Sequence, residues 1–127
     1  MEVKPPNMPD LADSRKQTTL RRYEQQYERL KAELLDLGYV LQGSVTQRWM
    51  QCGKEACRCH DDPSARHGPY WQWSWKVGTR TASVYLDPQQ AAICRRWIEN
   101  DRRMRRTIKK MRSMSLRIAR LYKIASK

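Results

Sequence analysis

The 127-residue chain has no phenylalanine, only five glycines and only two histidines. Without phenylalanine, the five tryptophans must supply much of whatever large apolar volume a core here contains. No glycine or proline occurs after Pro88, so nothing interrupts a helix over the rest of the chain. No apolar run is long enough to span a membrane, and no N-terminal segment has the charged start and apolar core of a signal peptide. We therefore expect no membrane partner and a cytoplasmic location, where clustered cysteines stay reduced. A Gly-rich phosphate loop and a Ser/His/Asp pattern are both missing, and no internal repeat is evident. The one local acid/base set is His60-Asp61-Asp62. With an open second ion it would suit a metal-dependent nuclease, but Asp61-Asp62-Pro63 reads more simply as a turn. We expect no enzymatic activity.

What the chain does have is a dense stretch from Cys52 to Tyr70, CGKEACRCHDDPSARHGPY. It holds three of the four cysteines and both histidines. Thiolate and imidazole bunched this tightly point to a metal, and to zinc in particular. The spacing is C-x4-C-x-C-x7-H. Cys57 and Cys59 flank one residue, and Gly53 after Cys52 offers a sharp turn. His67 precedes the turn signal Gly68-Pro69 and is well placed to return as fourth ligand. His60 competes, but it adjoins Cys59, and neighbouring residues rarely reach one tetrahedral centre unstrained. The expected site is Cys52, Cys57, Cys59 and His67 around a structural Zn2+, with no position left open for water. Free buried thiols, or one disulfide with a cysteine left over, are the alternatives.

The run CGKEACRC followed by HGPYWQWSW resembles a family of short, uncharacterised prokaryotic proteins with a CGK-x-x-C-x-C … HGPY core. The resemblance covers roughly residues 43–100. Cys52, Gly53, Lys54, Cys57, Cys59, His67, Gly68, Pro69 and Tyr70 match the pattern, and His60 is not part of it. The resemblance implies a compact metal-knuckle domain flanked by helices, in a setting near mobile elements. It implies no activity.

Residues 1–9 hold three prolines and read as a disordered lead-in. Over 10–38, Leu20, Tyr23, Tyr27, Leu30, Leu34 and Leu37 keep a 3-4 spacing, and Gly38 stands where a helix-stopping glycine would. The 39–87 segment combines the knuckle with strands. Val40 to Met50 reads as extended, with Gly43 a weak point or bulge. In Tyr70–Lys76, Trp71, Trp73 and Trp75 share one face, while Tyr70, Gln72, Ser74 and Lys76 share the other. Val77-Gly78-Thr79 turns the chain into Arg80–Leu86 as partner strand. Asp87, Pro88 and Gln90 make a helix start with a capping box. From there 88–127 reads as one long helix with an apolar 3-4 stripe. The predicted class is α+β: a zinc knuckle and β-hairpin between two long heptad-patterned, coiled-coil-like helices. Such helices call for a homodimer or a larger protein partner along their seams.

Net charge is +13, and it is uneven: residues 88–127 carry 13 of the 26 Lys and Arg but only two of the 13 acids. Arg95, Arg96, Arg102, Arg103, Arg105, Arg106, Lys109, Lys110, Arg112, Arg117 and Arg120 lie around the apolar stripe. An ordinary solvated helix face carries both signs; this one favours DNA or RNA phosphates. Lys54, Arg58 and Arg66 would add contacts at the knuckle, though they also read as plain surface charge. The three tryptophans read as core, with Trp71 the exception able to stack on a base. The resulting expectation is a non-enzymatic nucleic-acid-binding accessory protein. Its alternative is a coiled-coil assembly adaptor.

Overall fold

The computed structural model describes residues 8–124, so most of the predicted lead-in and the last three residues lie outside it. The class is α+β. In chain order, helix α1 (Ser14–Leu35) precedes three strands, β1 (Ser44–Met50), β2 (His67–Val77) and β3 (Arg80–Leu86), and helix α2 (Pro88–Leu121) follows them. The described residues divide into two compact units. One is Tyr39–Asp101; the other draws on the chain before and after it.

Tyr39–Asp101 is built on an antiparallel sheet in the order β1-β2-β3. β2 pairs with both neighbours, so the predicted hairpin gains a third strand. Gly78 has φ +65°, and Val77 pairs with Arg80. A two-residue loop with positive φ at its first position only is a II′ turn, whose twist suits a hairpin. The irregularity expected at Gly43 lies instead between Arg48 and Met50. Gly43 has another task. Its φ is +110°, and an added Cβ would sit 2.2 Å from the Ser74 carbonyl oxygen and 2.6 Å from Trp73 Nε1. That close approach lets Trp73 Nε1 donate to the Gln42 carbonyl at 2.9 Å.

The start of α2 is written in its sequence. Gln90 N donates to Asp87 Oδ1 at 2.7 Å, and Asp87 N donates to Gln90 Oε1 at 2.9 Å, the reciprocal pair of a capping box. Two to three turns on, α2 meets the chain entering β1. Leu41 N donates to the Trp97 carbonyl at 3.1 Å, Asn100 Nδ2 donates to the Tyr39 carbonyl at 2.9 Å, and the Tyr39 and Trp97 rings meet edge to face. The tryptophan face of β2 is turned to this helix: the Arg95 guanidinium lies 4.0 Å from the Trp71 ring centre. Trp73 and Trp75 stack on each other at 3.8 Å. Ala91 and Ile98 of α2 are buried here.

In the other unit, α1 and the later part of α2 run antiparallel. Thr107 Oγ1 donates to Glu33 Oε2 near the end of α1, while Gln17 and Leu20 near its start line one cavity with Tyr122. Asp13 caps α1 by accepting from Arg15 N. The helix ends at Leu35, where Asp36 N reaches the Glu33 and Leu34 carbonyls. Gly38 lies beyond that end and has no positive φ. Met114 and Thr107 are the buried residues of α2 in this unit.

Gly43→Ala is expected to destabilise Tyr39–Asp101 by at least about 2 kcal/mol, since it combines a strained φ with a backbone clash. Gly53→Ala, where an added Cβ meets nothing within 4 Å, is expected to change stability by less than about 0.5 kcal/mol. Urea denaturation of the two variants against wild type measures both.

Candidate metal centre

The connection from β1 to β2 carries the site. Met50 pairs with His67 at the sheet edge, so the chain leaving β1 and the chain entering β2 start side by side. Cys52 follows Met50 by two residues, and His67 opens β2. Between them, a 3-10 turn over Arg58–His60 begins directly after Cys57 and contains Cys59. His60 N donates to the Cys57 carbonyl and Asp61 N to the Arg58 carbonyl, which tightens the turn. A second 3-10 turn, Pro63–Ala65, is capped by Asp62, whose carboxylate accepts from Ser64 N and Ser64 Oγ.

This path gathers the Sγ atoms of Cys52, Cys57 and Cys59 and a ring nitrogen of His67, all within 4.8 Å of one another. Cys52 Sγ and Cys59 Sγ are 3.6 Å apart, and Cys57 Sγ is 3.4 Å from His67 Nε2. A tetrahedral ion with M–S near 2.3 Å and M–N near 2.05 Å requires edges of about 3.8 Å for S···S and about 3.6 Å for S···N. The donor set fits such an ion. It does not fit a disulfide, whose sulfurs are about 2.05 Å apart, and all four cysteines are free. Cys59 is the innermost donor, 1% exposed, whereas His67 is exposed. His60 lies outside the cluster. Gly53 takes no positive φ, so the turn after Cys52 does not depend on glycine.

The thiols are electrostatically unequal. The Cys59 backbone N–H, then the His67 ring, hold the Cys57 thiol well below its ordinary 9.0, at about 6. Cys59 receives the Cys52 backbone N–H at 3.3 Å, which pulls it down. Burial and the neighbouring Cys57 and Cys52 thiols outweigh that pull and push it up. The Asp62 carboxyl is held down by the Ser64 hydroxyl and then by the Ser64 backbone N–H.

The remaining sequence-named residues are scattered more widely. Lys54, Arg58 and Arg66 are exposed around the knuckle, and Arg58 pairs with Asp62 at 3.5 Å. The pair is largely open to solvent and adds little to stability. Arg95 covers the Trp71 ring, so the two residues named for phosphate and base meet each other. Arg96, Arg102, Arg103, Arg105, Arg106, Lys109, Lys110, Arg112, Arg117 and Arg120 are exposed along α2. Sequence reasoning passes over Tyr70 and Tyr85, whose rings meet at 6.2 Å. The signal that finds them is turn length: a two-residue loop sets Gln72 opposite Tyr85 and so puts both tyrosines on one face.

The profile of a family described as a domain of unknown function, DUF6788, matches residues 17–96, more than half of the chain. The match takes in α1 from Gln17 onward, the knuckle, the sheet and the start of α2, and stops short of Arg102. No curated protein and no solved structure matches the chain.

Two outcomes test the centre. His67→Ala is expected to bring metal content well below one ion per chain, while His60→Ala keeps about one; metal analysis of the purified variants reads this directly. In chelator-treated protein at pH 7, Cys57 is expected to be alkylated first and Cys59 last. A group held near 6 is mostly thiolate at pH 7 and becomes thiol as pH falls through 6, so the Cys57 rate should halve near pH 6. Mass-resolved alkylation across pH checks this.

Proposed function

The chain belongs to the DUF6788 family, a domain of unknown function, and from that starting point we propose that it is a non-enzymatic nucleic-acid-binding accessory protein. One observation carries the reading: from Arg102 to Leu121, α2 bears nine Lys and Arg and no acid. A helix with that imbalance releases condensed counterions when it meets a polyphosphate. Arginine's planar fork adds bidentate phosphate contacts that a lysine lacks. Arg95 joins this surface only by leaving Trp71, and a cation–π contact of about 0.5–1 kcal/mol is weak enough to be exchanged for a phosphate.

The ion in this reading is Zn2+, and its role is structural. Three thiolates and an imidazole fill a tetrahedral shell and leave no site for an activated water. Asp62, engaged in capping the turn at Ser64, supports the turn reading of Asp61-Asp62-Pro63 over a nuclease centre. The family resemblance adds a setting: a prokaryotic cytoplasm, near mobile elements, as a subunit of a larger nucleic-acid-processing complex. The antiparallel pairing of α1 with α2 satisfies part of the helical stripes. Pairing between copies along the heptads, as a coiled-coil dimer, is the further step this reading takes.

The test is salt. Affinity for duplex DNA or RNA, measured by anisotropy, is expected to fall linearly on a log–log plot against salt. The triple variant Lys109→Gln, Lys110→Gln, Arg112→Gln should flatten the slope by up to about 2.7, at about 0.9 per lost duplex contact. A protein that ignores nucleic acid at every salt, but captures one larger protein in a salt-tolerant way that Ile108→Asp abolishes, supports the adaptor reading instead.

A further inference from the structure

The sheet has two faces of different character. One carries the tryptophans and is turned to α2, with Arg95 over Trp71. On the other, the register aligns Arg48 with Tyr70 and Gln72 with Tyr85. Tyr70 is 42% exposed and Tyr85 58%. Their rings meet at 6.2 Å and 65°, and the Tyr85 hydroxyl donates to Met50 Sδ at 3.2 Å, which holds that ring in place. Around them, apart from Arg48 and Lys76, the face presents serine, threonine and glutamine, with no carboxylate. Arg48 Nη1 reaches Gln72 Oε1 at 3.2 Å and Lys76 Nζ reaches Thr81 Oγ1 at 2.9 Å. Both partners are neutral, so among the described residues neither cation is neutralised.

We propose that this face is a stacking platform for single-stranded nucleic acid, with bases on Tyr70 and Tyr85 and phosphates on Arg48 and Lys76. The inference rests on the nucleic-acid reading above and names the strand form and the surface. Tyrosine offers a π-face that any base can use, and it needs no base-specific hydrogen bond. Two rings 6.2 Å apart can each take a base only when those bases are unstacked from one another, which a duplex forbids. A protein partner would want an apolar centre with a polar rim. Here the cations and hydroxyls are interspersed with the rings, and the complement of an acid-free surface is an anion. Lys54 and Arg66 are exposed on the loop between β1 and β2. They would extend the phosphate track from the Tyr70 end of the face, whereas Arg58 is already paired with Asp62.

The experiment uses the full, zinc-loaded chain. A labelled short oligonucleotide, as DNA and as RNA, is titrated by anisotropy, and a duplex of the same sequence is titrated beside it. Tyr70→Ala/Tyr85→Ala is expected to weaken single-strand binding by roughly tenfold to a hundredfold per tyrosine, with duplex binding and metal content unchanged. Tyr70→Phe/Tyr85→Phe should bind single strands as wild type does. An alanine pair that binds single strands like wild type overturns the platform, while salt-dependent duplex binding keeps the α2 reading. If wild type binds neither form, both readings fall. If the alanine pair loses its metal, Arg48→Gln/Lys76→Gln decides. It should reduce the single-strand salt slope by about 1.4, at about 0.7 per contact, and an unchanged slope overturns the platform.

Discussion

Three sulfurs and an imidazole held within 4.8 Å of one another are the constraint on which Tyr39–Asp101 depends. Without an ion, that arrangement crowds one thiol near neutrality with another pushed upward. With one, the same crowding becomes a coordination shell. The cluster sits where β1 gives way to β2, beside the Met50–His67 pair. A small fold needs such help. Among the described residues of Tyr39–Asp101 only Cys59, Ala91 and Ile98 are buried apolar residues, and Cys59 is itself a donor. Burial on that scale gives a short chain little of its stability.

Charge on α2 follows a related logic. Asp87 caps the N-terminus, and the bases crowd towards the C-terminus, with Arg120 in the last turn. That order complements the helix dipole. It does not remove the repulsion among neighbouring cations. Part of the answer is α1, whose Glu33 accepts from Thr107 and shares a groove with Lys110 and Arg117.

The two sheet faces divide the aromatic residues by role. The tryptophans turn to α2 and to each other, with Trp73 anchored to the Gln42 carbonyl through the space that Gly43 leaves open. The tyrosines stay in solvent, where an amphipathic ring can be held by its hydroxyl and still offer its face. Strand alternation separates the two sets, and the pairing of three strands assembles each into a surface.

Short-range chemistry was legible in the sequence. The donors Cys52, Cys57, Cys59 and His67 were identifiable because a tight loop brings near neighbours together whatever the rest of the chain does. The Asp87–Gln90 capping box, the turn at Gly78 and the alternation of Tyr70–Lys76 are local in the same sense. The tertiary structure decided what depends on partners distant in sequence. Gly43 is required by Ser74 and Trp73, some thirty residues away, and no local pattern announces that. Arg95 and Trp71 each looked like a ligand contact until the helix laid one over the other. Tyr70 and Tyr85 became one surface only through strand register. A period of two tells which face a side chain takes on its own strand, whereas hydrogen bonding between strands determines what stands beside it.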